Sequence, residues 1–403
     1  MPAARLLDLT RLVSRLGRGA LTGVDRVELA YLDHFIAGDA HQGLPLFGLV
    51  RTAWGHLLLD GRGAAGVAAL AHGRQPLRRA SGIARLLGRK DPLRAAAEFT
   101  VRQLALRAAP DLALPVLLRH LPPGTVYFNT GHANLSARRL AALGRAGLRR
   151  AVLVHDVIPL DHPEYTRPGI PAVFARKMAA VARHADLVIH TTRDARTRTE
   201  AQLARLGCVP PGIVAPLGIT LAPAAPVALP GFDPSRPWFI AIGTIEPRKN
   251  HAFLLDLWQT LASRLPPDRL PQLVIAGGRG WNNDAVFRRL EARPPGVIEA
   301  QGLPDGALIT LLQGARALLF PSFAEGFGLP PAEAAALGCP VIANPLPVLQ
   351  EILGDYPVYL PVSDDYAWLE TIMQAADKPP EQAGRRWQPP DWGQHFNAVL
   401  SSI

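Results

Sequence analysis

The 403-residue sequence has two cysteines, few aromatic residues and no long apolar segment. Cys208 and Cys339 lie far apart and form no CxxC pair, which argues against a disulfide framework and a cysteine-based zinc site. Aromatic residues make up 6% of the chain, so stacking surfaces for nucleic-acid bases are scarce. No window approaches eighteen apolar residues without a charge, and the N-terminus lacks the apolar centre of a signal peptide. We therefore expect a globular, cytoplasmic protein that does not bind nucleic acid.

Size and charge divide the chain into two unlike halves. Its 403 residues, 48% of them hydrophobic, exceed what one core usually supports, so we expect two domains. Residues 1–222 hold 30 Lys and Arg against 15 Asp and Glu, whereas residues 223–403 hold 13 against 18, giving charges of +15 and −5. Residues 72–107 hold nine of the basic residues and two acidic ones. This segment suits an amphipathic helix at an anionic membrane surface, and compositional bias explains it equally well.

Short apolar runs alternate with helix-like stretches in both halves, which predicts an α/β fold with parallel, doubly wound sheets. In the first half the runs are Arg5–Leu9, Leu46–Val50, Val126–Asn129, Ala151–His155, Leu187–Thr192 and Ile213–Leu217. In the second half they are Trp238–Gly243, Leu273–Gly277, Val297–Gln301, Ala317–Pro321, Val341–Asn344 and Val358–Leu360. We expect helices at Leu29–Ile36 and Val173–Ala185 in the first half.

Proline-rich segments mark the domain boundaries. Residues 223–237 form a linker between an N-terminal domain, residues 1–222, and a C-terminal domain, residues 238–380. A second polar, proline-rich connection precedes a tail, residues 381–403, that could pack back on the N-terminal domain.

The stretch around Glu325 and Glu333 carries the clearest functional signal. Ala317–Pro321 suits a buried strand, and the prolines at 330 and 331 suit the first turn of a helix. The loop between them therefore meets a helix N-terminus, where free amides and the helix dipole favour a phosphate. The loop and first helical residues are Gly326, Phe327, Gly328 and Leu329. By themselves, these features fit an ordinary strand-loop-helix unit with solvated glutamates equally well.

Other polar residues follow strands, where open α/β sheets bind their ligands. Arg248 and Lys249 come after Trp238–Gly243 and could neutralise a diphosphate; a solvated basic turn is the alternative. Gly278 lies in a glycine-rich turn that admits a ligand or another backbone. His155 and Asp156 could line a sugar pocket, or be a hydrogen-bonded histidine and a capping aspartate. Thr22 and Gly23 precede a helix beginning near Val24 and could contact phosphate, although tight-turn chemistry also explains them.

Four motifs occur in an order that resembles the donor domain of the retaining glycosyltransferases of family 4, which have the two-domain GT-B fold. They are GTIEPRKNH at 243–251, VIAGGRGW at 274–281, ALLFPSFAEGFGLPPAEAAALGCPVIA at 317–343 and LQEILGD at 349–355. TGVDRVELAY at 22–31, VLVHDVIPLDHPE at 152–164 and DLVIHTTRDAR at 186–196 extend the resemblance to the first half. The expected fold is two Rossmann-like, doubly wound domains that face each other across a cleft.

The resemblance implies metal-independent transfer of a sugar from a nucleotide diphosphate sugar, with retention at the anomeric carbon and no cofactor. Arg248 and Lys249 would hold the diphosphate, and Glu325 would bind the sugar hydroxyls. Glu333 would bind the ribose diol, and His155 would face the transferred sugar. The remaining donor-binding positions are Thr22, Gly23, Gly243, Thr244, Gly278, Gly326, Phe327, Gly328 and Leu329. Most family members have a Gly-Arg pair where this chain has Gly243 and Thr244, so Arg248 and Lys249 must act as a closer pair.

Three interpretations remain open from the sequence. The first is a transferase of surface-polysaccharide or lipopolysaccharide synthesis, with GDP-mannose as the preferred donor and a glycan or polyprenyl-linked acceptor. The expected location is the cytoplasm, with peripheral attachment at the inner face of the plasma membrane as an option. The second is a nucleotide-sugar 2-epimerase of the same fold. The third is a non-catalytic module that binds a nucleotide sugar or a membrane.

Overall fold

The computed structural model describes residues 2–80, 91–378 and 387–403. The basic segment 72–107 is therefore described only in part, and residues 381–386 of the expected tail lie outside the described residues. No helix among the described residues is both long enough and apolar enough to cross a membrane.

The N-terminal domain is built on one eight-stranded sheet with the strand order β4-β3-β2-β1-β5-β6-β7-β8. Its strands are β1 (Arg5–Asp8), β2 (Leu46–Thr52), β3 (Gly55–Leu59), β4 (Arg107–Ala109), β5 (Val126–Asn129), β6 (Arg149–Val154), β7 (Leu187–His190) and β8 (Gly212–Val214). β1 and β5–β7 are buried on both faces, because helices cover each side of the sheet.

Nine α-helices belong to the described part of this domain. They are α1 (Thr10–Arg15), α2 (Gly23–Gln42), α3 (Gly61–Ala71), α4 (Pro92–Arg102), α5 (Leu114–Leu118), α6 (Ala137–Arg145), α7 (Ile158–Asp161), α8 (Ile170–His184) and α9 (Arg193–Leu206). The predicted helix Leu29–Ile36 lies within α2. The predicted helix Val173–Ala185 corresponds to α8, which ends one residue earlier.

The expectation of a purely parallel first sheet was wrong at one edge. β3 pairs antiparallel with β2, and β4 pairs antiparallel with β3. The cause is a tight turn after Thr52, in which Gly55 has a φ of 115° and its α-carbon faces the backbone oxygen of Ala109. A side chain at position 55 would collide with that backbone, so the hairpin and β4 depend on this glycine.

The C-terminal domain has a six-stranded, all-parallel sheet with the order β11-β10-β9-β12-β13-β14. Its strands are β9 (Trp238–Ile242), β10 (Gln272–Ala276), β11 (Val297–Ala300), β12 (Ala317–Phe320), β13 (Val341–Ala343) and β14 (Val358–Tyr359). Its helices are α10 (His251–Arg264), α11 (Asp284–Glu291), α12 (Asp305–Gly314), α13 (Leu329–Ala336), α14 (Pro347–Leu353) and α15 (Asp365–Asp377). The twelve predicted strands all occur, with ends that differ by up to three residues.

The last helix, α16 (Trp392–Ser401), packs on the N-terminal domain. His395 shares a 2.8 Å hydrogen bond with the Tyr31 hydroxyl and lies 3.0 Å from the backbone oxygen of Ala215. Phe396 stacks on His34 with the ring centroids 3.7 Å apart. The proline-rich linker instead contacts the C-terminal domain, where the Thr310 hydroxyl donates to the backbone oxygen of Ala225. The chain thus crosses between the two domains twice.

The strand orders fix where a ligand can bind. In the first sheet the strand order reverses between β1 and β5, because β2–β4 lie on one side of β1 and β5–β8 on the other. In the second sheet the same reversal occurs between β9 and β12. Such switch points open a crevice at the carboxyl ends of the strands. The two crevices face each other, because the residues that follow β6 contact the loop that follows β12. The structure therefore confirms the α/β class and the two facing Rossmann-like domains of the GT-B fold.

Candidate functional site

The loops after β9 and β12 meet at the C-terminal switch point. The backbone amide of Phe323 donates to the Arg248 carbonyl at 2.8 Å, and Arg248 Nη1 donates to the Ala324 carbonyl at 2.8 Å. These two bonds connect segments that are about 75 positions apart in the chain. Because both loops leave the same sheet edge, the glutamate loop and the basic turn form one structural unit.

A charged cluster occupies the centre of this unit. Glu325 Oε1 lies 2.6 Å from Lys249 Nζ and 2.8 Å from Arg248 Nη1. Arg248 Nε contacts Glu246 at 2.6 Å, and Lys249 Nζ lies 4.6 Å from the centre of the Phe320 ring. Only 7% of the Glu325 side chain and 8% of the Lys249 side chain are exposed. Lys249 and Glu325 are therefore held out of bulk water, whereas 23% of the Arg248 side chain is exposed.

The pKa values follow from this arrangement. Burial by itself opposes ionisation of Glu325, but Arg248 and Lys249 outweigh it and lower the pKa of Glu325 to about 2. Burial lowers the pKa of Lys249, and Glu325 opposes that shift. Burial also acts on Arg248, yet the carboxylates of Glu325 and Glu246 raise its pKa. A carboxylate that is so weakly basic suits charge pairing better than proton abstraction or nucleophilic attack.

The glycine-rich loop brings a helix N-terminus to the cleft. Gly328, with a φ of 88°, immediately precedes α13, whose first turn contains the prolines at 330 and 331. Phe327 is buried, which anchors the loop. The first turn contains no acidic side chain, so its free amides and dipole are available to an anion.

The N-terminal domain presents a second helix N-terminus to the same point. Thr22 is the N-cap of α2 and forms a capping box with Asp25, whose carboxylate accepts from the Thr22 amide and hydroxyl. A β-carbon on Gly23 would lie 2.9 Å from Leu329 Cδ1, so the starts of α2 and α13 almost touch. The structure thus brings these predicted positions together, with the Thr22 hydroxyl already committed to its cap.

His155 lies beneath the glycine-rich loop. A β-carbon on Gly326 would lie 2.9 Å from the His155 carbonyl and 2.9 Å from an Asp156 carboxylate oxygen. His155 Nε2 is 2.7 Å from the Thr130 carbonyl, which can only accept, so Nε2 carries the proton and Nδ1 the lone pair. Burial lowers the pKa of His155 to about 4. Its ring is therefore neutral near pH 7. Asp156 accepts from the amide of Ile158, as a capping aspartate does.

Glu333 projects from α13 and pairs with Arg26 of α2 across the cleft, at 2.5 Å. Burial raises the pKa of Glu333, and Arg26 opposes that shift. Arg26 also donates to the Thr220 carbonyl beside the linker. This ion pair joins the two domains on the side of the cleft away from the Arg248 cluster.

The remaining predicted positions are close to the cluster but play different structural parts. A β-carbon on Gly243 would lie 3.1 Å from Lys249 Cε, so this glycine makes room for the lysine stem. A methyl group of Thr244 would contact a β-carbon on Gly280. Gly278 is exposed at the rim, and nothing lies within 4 Å of its β-carbon position. Among these glycines, Gly278 is therefore the one with open space toward the cleft.

The motifs did not identify two cleft arginines of the N-terminal domain. Arg11 follows β1, pairs with Asp25 at 2.7 Å and donates to the Thr22 hydroxyl at 3.2 Å. Arg26 lies one helical turn into α2. Only their positions in the chain could have identified them. Arg11 follows a switch-point strand, and Arg26 is on the helix whose N-terminus faces the cleft.

A cavity of about 790 Å³ continues from the Arg26–Glu333 side of the cleft. It lies between the start of α2, the loop after β11 and α16. Leu329 and Arg26 line its mouth, Gly302 and Asp305 line the C-terminal side, and Phe396 lines the inner wall. A space of this size at the cleft can hold most of a small ligand.

Residues 230–386 match the model of a protein family described as glycosyl transferases group 1. The matched segment contains both loops of the C-terminal switch point, the charged cluster and α13. The C-terminal part of the chain thus matches the glycosyl transferases group 1 family. This match confirms the resemblance to family 4 drawn from the motifs.

Curated proteins match parts of the chain. The serotype-specific mannosyltransferase WbdA of Escherichia coli is 32% identical over 231 residues, which are 53% of this chain and 28% of WbdA. The O-antigen chain mannosyltransferase B of Escherichia coli is 38% identical over 136 residues, 33% of this chain and 35% of that protein. The D-inositol 3-phosphate glycosyltransferase of Segniliparus rotundus is 28% identical over 223 residues, 52% and 50% of the two chains. The chain thus spans half or less of the length of these relatives.

Solved structures resemble the whole chain. A sucrose-phosphate synthase from Thermosynechococcus elongatus has a TM-score of 0.59 and 16% identity, over 99% of this chain and 100% of its own. Anabaena HepE in complex with UDP-glucose has a TM-score of 0.56 and 16% identity, with the same coverage. At such identities the likeness shows the fold, which is the two-domain GT-B arrangement described above.

Proposed function

We propose that this protein transfers a sugar from a nucleotide diphosphate sugar to an acceptor hydroxyl, with retention at the anomeric carbon. The observation that carries the proposal is the pairing of Arg248 and Lys249 with Glu325 at the C-terminal switch point, directly beside the N-terminus of α13. Two fixed cations and a free helix N-terminus form a site for the diphosphate of a donor.

These groups stabilise charge that grows during the reaction. As the bond from the anomeric carbon to the diphosphate breaks, negative charge collects on the leaving oxygen. Lys249 has three N–H donors and Arg248 has five, so each can bind Glu325 and still donate to that oxygen. Because Lys249 is buried, Arg248 is partly buried and both are already oriented by Glu325, they need little reorganisation, which is the condition for strong electrostatic stabilisation.

Glu325 acts as a binding residue in this proposal. Its pKa of about 2 makes it a poor nucleophile and a poor base. It orients the two cations and offers its second carboxylate oxygen to the hydroxyls of the donor sugar. The leaving phosphate, which becomes more basic as the bond breaks, then accepts the proton of the acceptor hydroxyl on the same face of the sugar. The new bond therefore forms on the face that the diphosphate leaves.

Two further side chains and a cavity complete the donor site. His155, neutral and with its lone pair on Nδ1, accepts a hydrogen bond from the transferred sugar. Glu333 binds the ribose diol, and the cavity beside Arg26 and Gly302 takes the nucleoside. The residues needed are already held by local structure, and closure of the cleft around the linker excludes water from the reacting sugar.

Mannose is the proposed sugar, because two of the relatives are named as mannosyltransferases. GDP-mannose is accordingly the proposed donor, and a glycan or lipid-linked glycan is the proposed acceptor. The donor side needs no metal in this proposal, because Arg248 and Lys249 supply the positive charge.

A thermal-shift screen against GDP-, UDP-, dTDP- and ADP-sugars tests the proposal. The matching donor stabilises the folded state in proportion to its occupancy, and a ligand at a hundred times its dissociation constant contributes about 2.7 kcal/mol. We expect GDP-mannose to give the largest shift. Absence of a shift with every nucleotide sugar would refute the proposed donor site.

Product analysis separates transfer from epimerisation. With the matching donor and a mannose-terminated acceptor, NMR of the product should show an α-linked sugar, the configuration of the donor. Accumulation of an epimerised nucleotide sugar without a glycosylated product would support the epimerase instead. Donor binding with neither product would support a non-catalytic module.

A further inference from the structure

A second, basic groove lies in the N-terminal domain between α6 and α8, with a volume of about 480 Å³. It opens at the carboxyl edge of the sheet, where Asn134 lies in the connection between β5 and α6. None of the described residues that line it is acidic. Its basic lining residues are Arg51, Arg139, Arg176, Lys177 and Arg183.

Among the described residues, the cations of α8 have no counter-ion, unlike other arginines of this domain. Arg139 makes two contacts with Asp111, at 3.0 and 3.2 Å. By contrast, Arg176, Lys177 and Arg183 form no ion pair or side-chain hydrogen bond with any described residue. All three line the groove, so an anion bound there would be attracted by each of them.

Lys177 is the most informative of these cations. It is partly buried, and burial together with the charge of Arg11 lowers its pKa. Two alanines, Ala179 and Ala180, line the groove beside it and leave the space open. A desolvated ammonium without a carboxylate is costly unless a ligand supplies the missing charge.

The groove lies close to the proposed reaction site. Lys177 is close enough to His132 to lower its pKa, after the larger effects of burial and of His155. Phe174, one turn before Lys177, packs on the His132 ring at 5.8 Å between centroids, and His132 lies 5.2 Å from the His155 ring. Contacts of Phe174 and His132 therefore link the groove to His155, which places the groove within reach of a long acceptor whose reacting end lies near His155.

We infer that this groove binds the phosphate or diphosphate group of the acceptor, an inference that rests on the proposed transferase function. Arginine forks and a lysine ammonium are the donors that best match phosphate oxygens. The rim also exposes Val173 and Ile170, with 41% and 43% of their surfaces accessible. A soluble phosphate ester and a lipid headgroup present the same phosphate oxygens, so the chemistry of recognition is the same for both sources.

Site-resolved lysine labelling tests the inference directly. The chain has four lysines, Lys90, Lys177, Lys249 and Lys378. Pyridoxal 5′-phosphate carries a phosphate and an aldehyde, and borohydride fixes its imine to the lysine on which it forms. Peptide mass mapping then gives a labelling rate for each lysine. We expect Lys177 to react about tenfold faster than the exposed Lys378, and inorganic pyrophosphate to protect it.

Two variants with the same change of charge provide the comparison. Arg176→Gln removes one groove cation and should slow labelling of Lys177 about tenfold and weaken pyrophosphate protection. Arg205→Gln removes an exposed arginine near the end of α9 and should change neither. Equal labelling of Lys177 and Lys378, or no protection by pyrophosphate, would overturn the inference.

Vesicles identify the source of the phosphate. Protection of Lys177 by phosphatidylcholine vesicles that contain phosphatidic acid, but not by pure phosphatidylcholine, indicates a lipid headgroup. Protection by pyrophosphate alone indicates a soluble phosphate ester.

The nucleotide-sugar thermal shift, measured on Arg176→Gln, distinguishes failure of the groove proposal from failure of the transferase proposal. Protection of Lys177 without any nucleotide-sugar shift would support the phosphate groove and refute the transferase. A nucleotide-sugar shift without protection of Lys177 would support the transferase and refute the phosphate groove.

Discussion

Lys249 Nζ lies 2.6 Å from Glu325 Oε1, and less than a tenth of either side chain is exposed. Arg248 binds the same carboxylate oxygen at 2.8 Å. A lone buried carboxylate or ammonium would be unstable, whereas this triad satisfies all three groups. The same contacts that stabilise the C-terminal domain also aim two cations at the N-terminus of α13.

Replacing Lys249 by methionine should abolish most of the transfer activity. The substitution keeps the length of the stem against Gly243 and Phe320 but removes a cation from the leaving diphosphate. Loss of one such donor typically lowers kcat by about 10² to 10³-fold. Steady-state kinetics with the matching donor measure the change.

Lys378→Met is the matched control, because Lys378 is an exposed lysine at the end of α15. It should leave kcat and KM unchanged. Circular dichroism of Lys249→Met establishes that the protein is folded. A folded Lys249→Met protein with normal turnover would contradict the assigned role of the lysine.

The stability of the protein should depend on the ionisation of Glu325. Its pKa is about 2 in the folded state and about 4.3 in an unfolded chain. A depressed folded-state pKa stabilises the protein above the unfolded value, and that contribution is lost as the pH falls from about 4.3 toward 2. The full contribution is about 3 kcal/mol.

Urea unfolding of the wild type and of Glu325→Gln measures this contribution. Glutamine cannot titrate, so the difference in unfolding free energy should shrink by about 2 kcal/mol between pH 6 and pH 3. Buried histidines titrate in both proteins and cancel in the difference. If the difference in unfolding free energy between the two proteins stays constant over this pH range, Glu325 is not held ionised by the two cations.

His155 should influence turnover more than donor affinity. His155→Gln retains an N–H donor for the Thr130 carbonyl but has no acceptor at the position of Nδ1. If Nδ1 accepts from the sugar as the leaving group departs, kcat should fall by about tenfold or more while the dissociation constant of the nucleotide diphosphate changes little. Isothermal titration with the nucleotide diphosphate and kinetics with the full donor distinguish the two effects. An equal loss of kcat and of affinity for the nucleotide diphosphate would indicate that His155 has only a binding role.

The sequence predicted the strands well, because most of them are short apolar runs buried on both faces. β3 and β4 were missed because neither stands out by periodicity, and their pairing depends on the turn at Gly55. The residues of the candidate site that follow strands were also predictable, since the carboxyl edge of a parallel sheet is a defined place. Arg248, Lys249 and Glu325 are examples.

Contacts between the two domains could not be predicted in the same way. Arg26 and Glu333 are 307 positions apart, and neither belongs to a pattern that points to the other. Their meeting depends on the relative placement of two sheets, which the linker and α16 determine. The close approach of Gly326 to His155 and of Gly23 to Leu329 depends on the same placement of the two sheets.

Arg26 and Glu333 should contribute unequally to donor binding. If Glu333 binds the ribose diol, Glu333→Gln should weaken binding of the nucleotide diphosphate about tenfold or more, since hydrogen bonds to a charged group contribute about 1.5 to 3 kcal/mol. Arg26→Gln removes the partner across the cleft and one charge at the edge of the nucleoside cavity, and should weaken binding by less than about threefold. Isothermal titration of the two single variants and the double variant forms a double-mutant cycle. Equal losses in both single variants, with no further loss in the double, would show that the pair acts only as an interdomain clasp.

Closure of the cleft should depend on the absence of a side chain at Gly326. A β-carbon there would lie 2.9 Å from the His155 carbonyl, a backbone atom that cannot move aside without shifting β6. Gly326→Ala should therefore separate the two domains slightly and lower turnover by about tenfold or more, because small displacements of reacting groups are costly. Small-angle scattering should show a larger radius of gyration.

Gly278→Ala is the matched glycine substitution on the same side of the cleft, since nothing lies within 4 Å of its β-carbon position. It should leave the radius of gyration and the unfolding free energy unchanged. Any loss of donor affinity in this variant then reports on the predicted role of Gly278 in donor binding, because it cannot arise from blocked closure. Wild-type turnover and scattering in Gly326→Ala would show that the two domains do not need this contact for the reaction, and the donor would then have to be enclosed by the C-terminal domain alone.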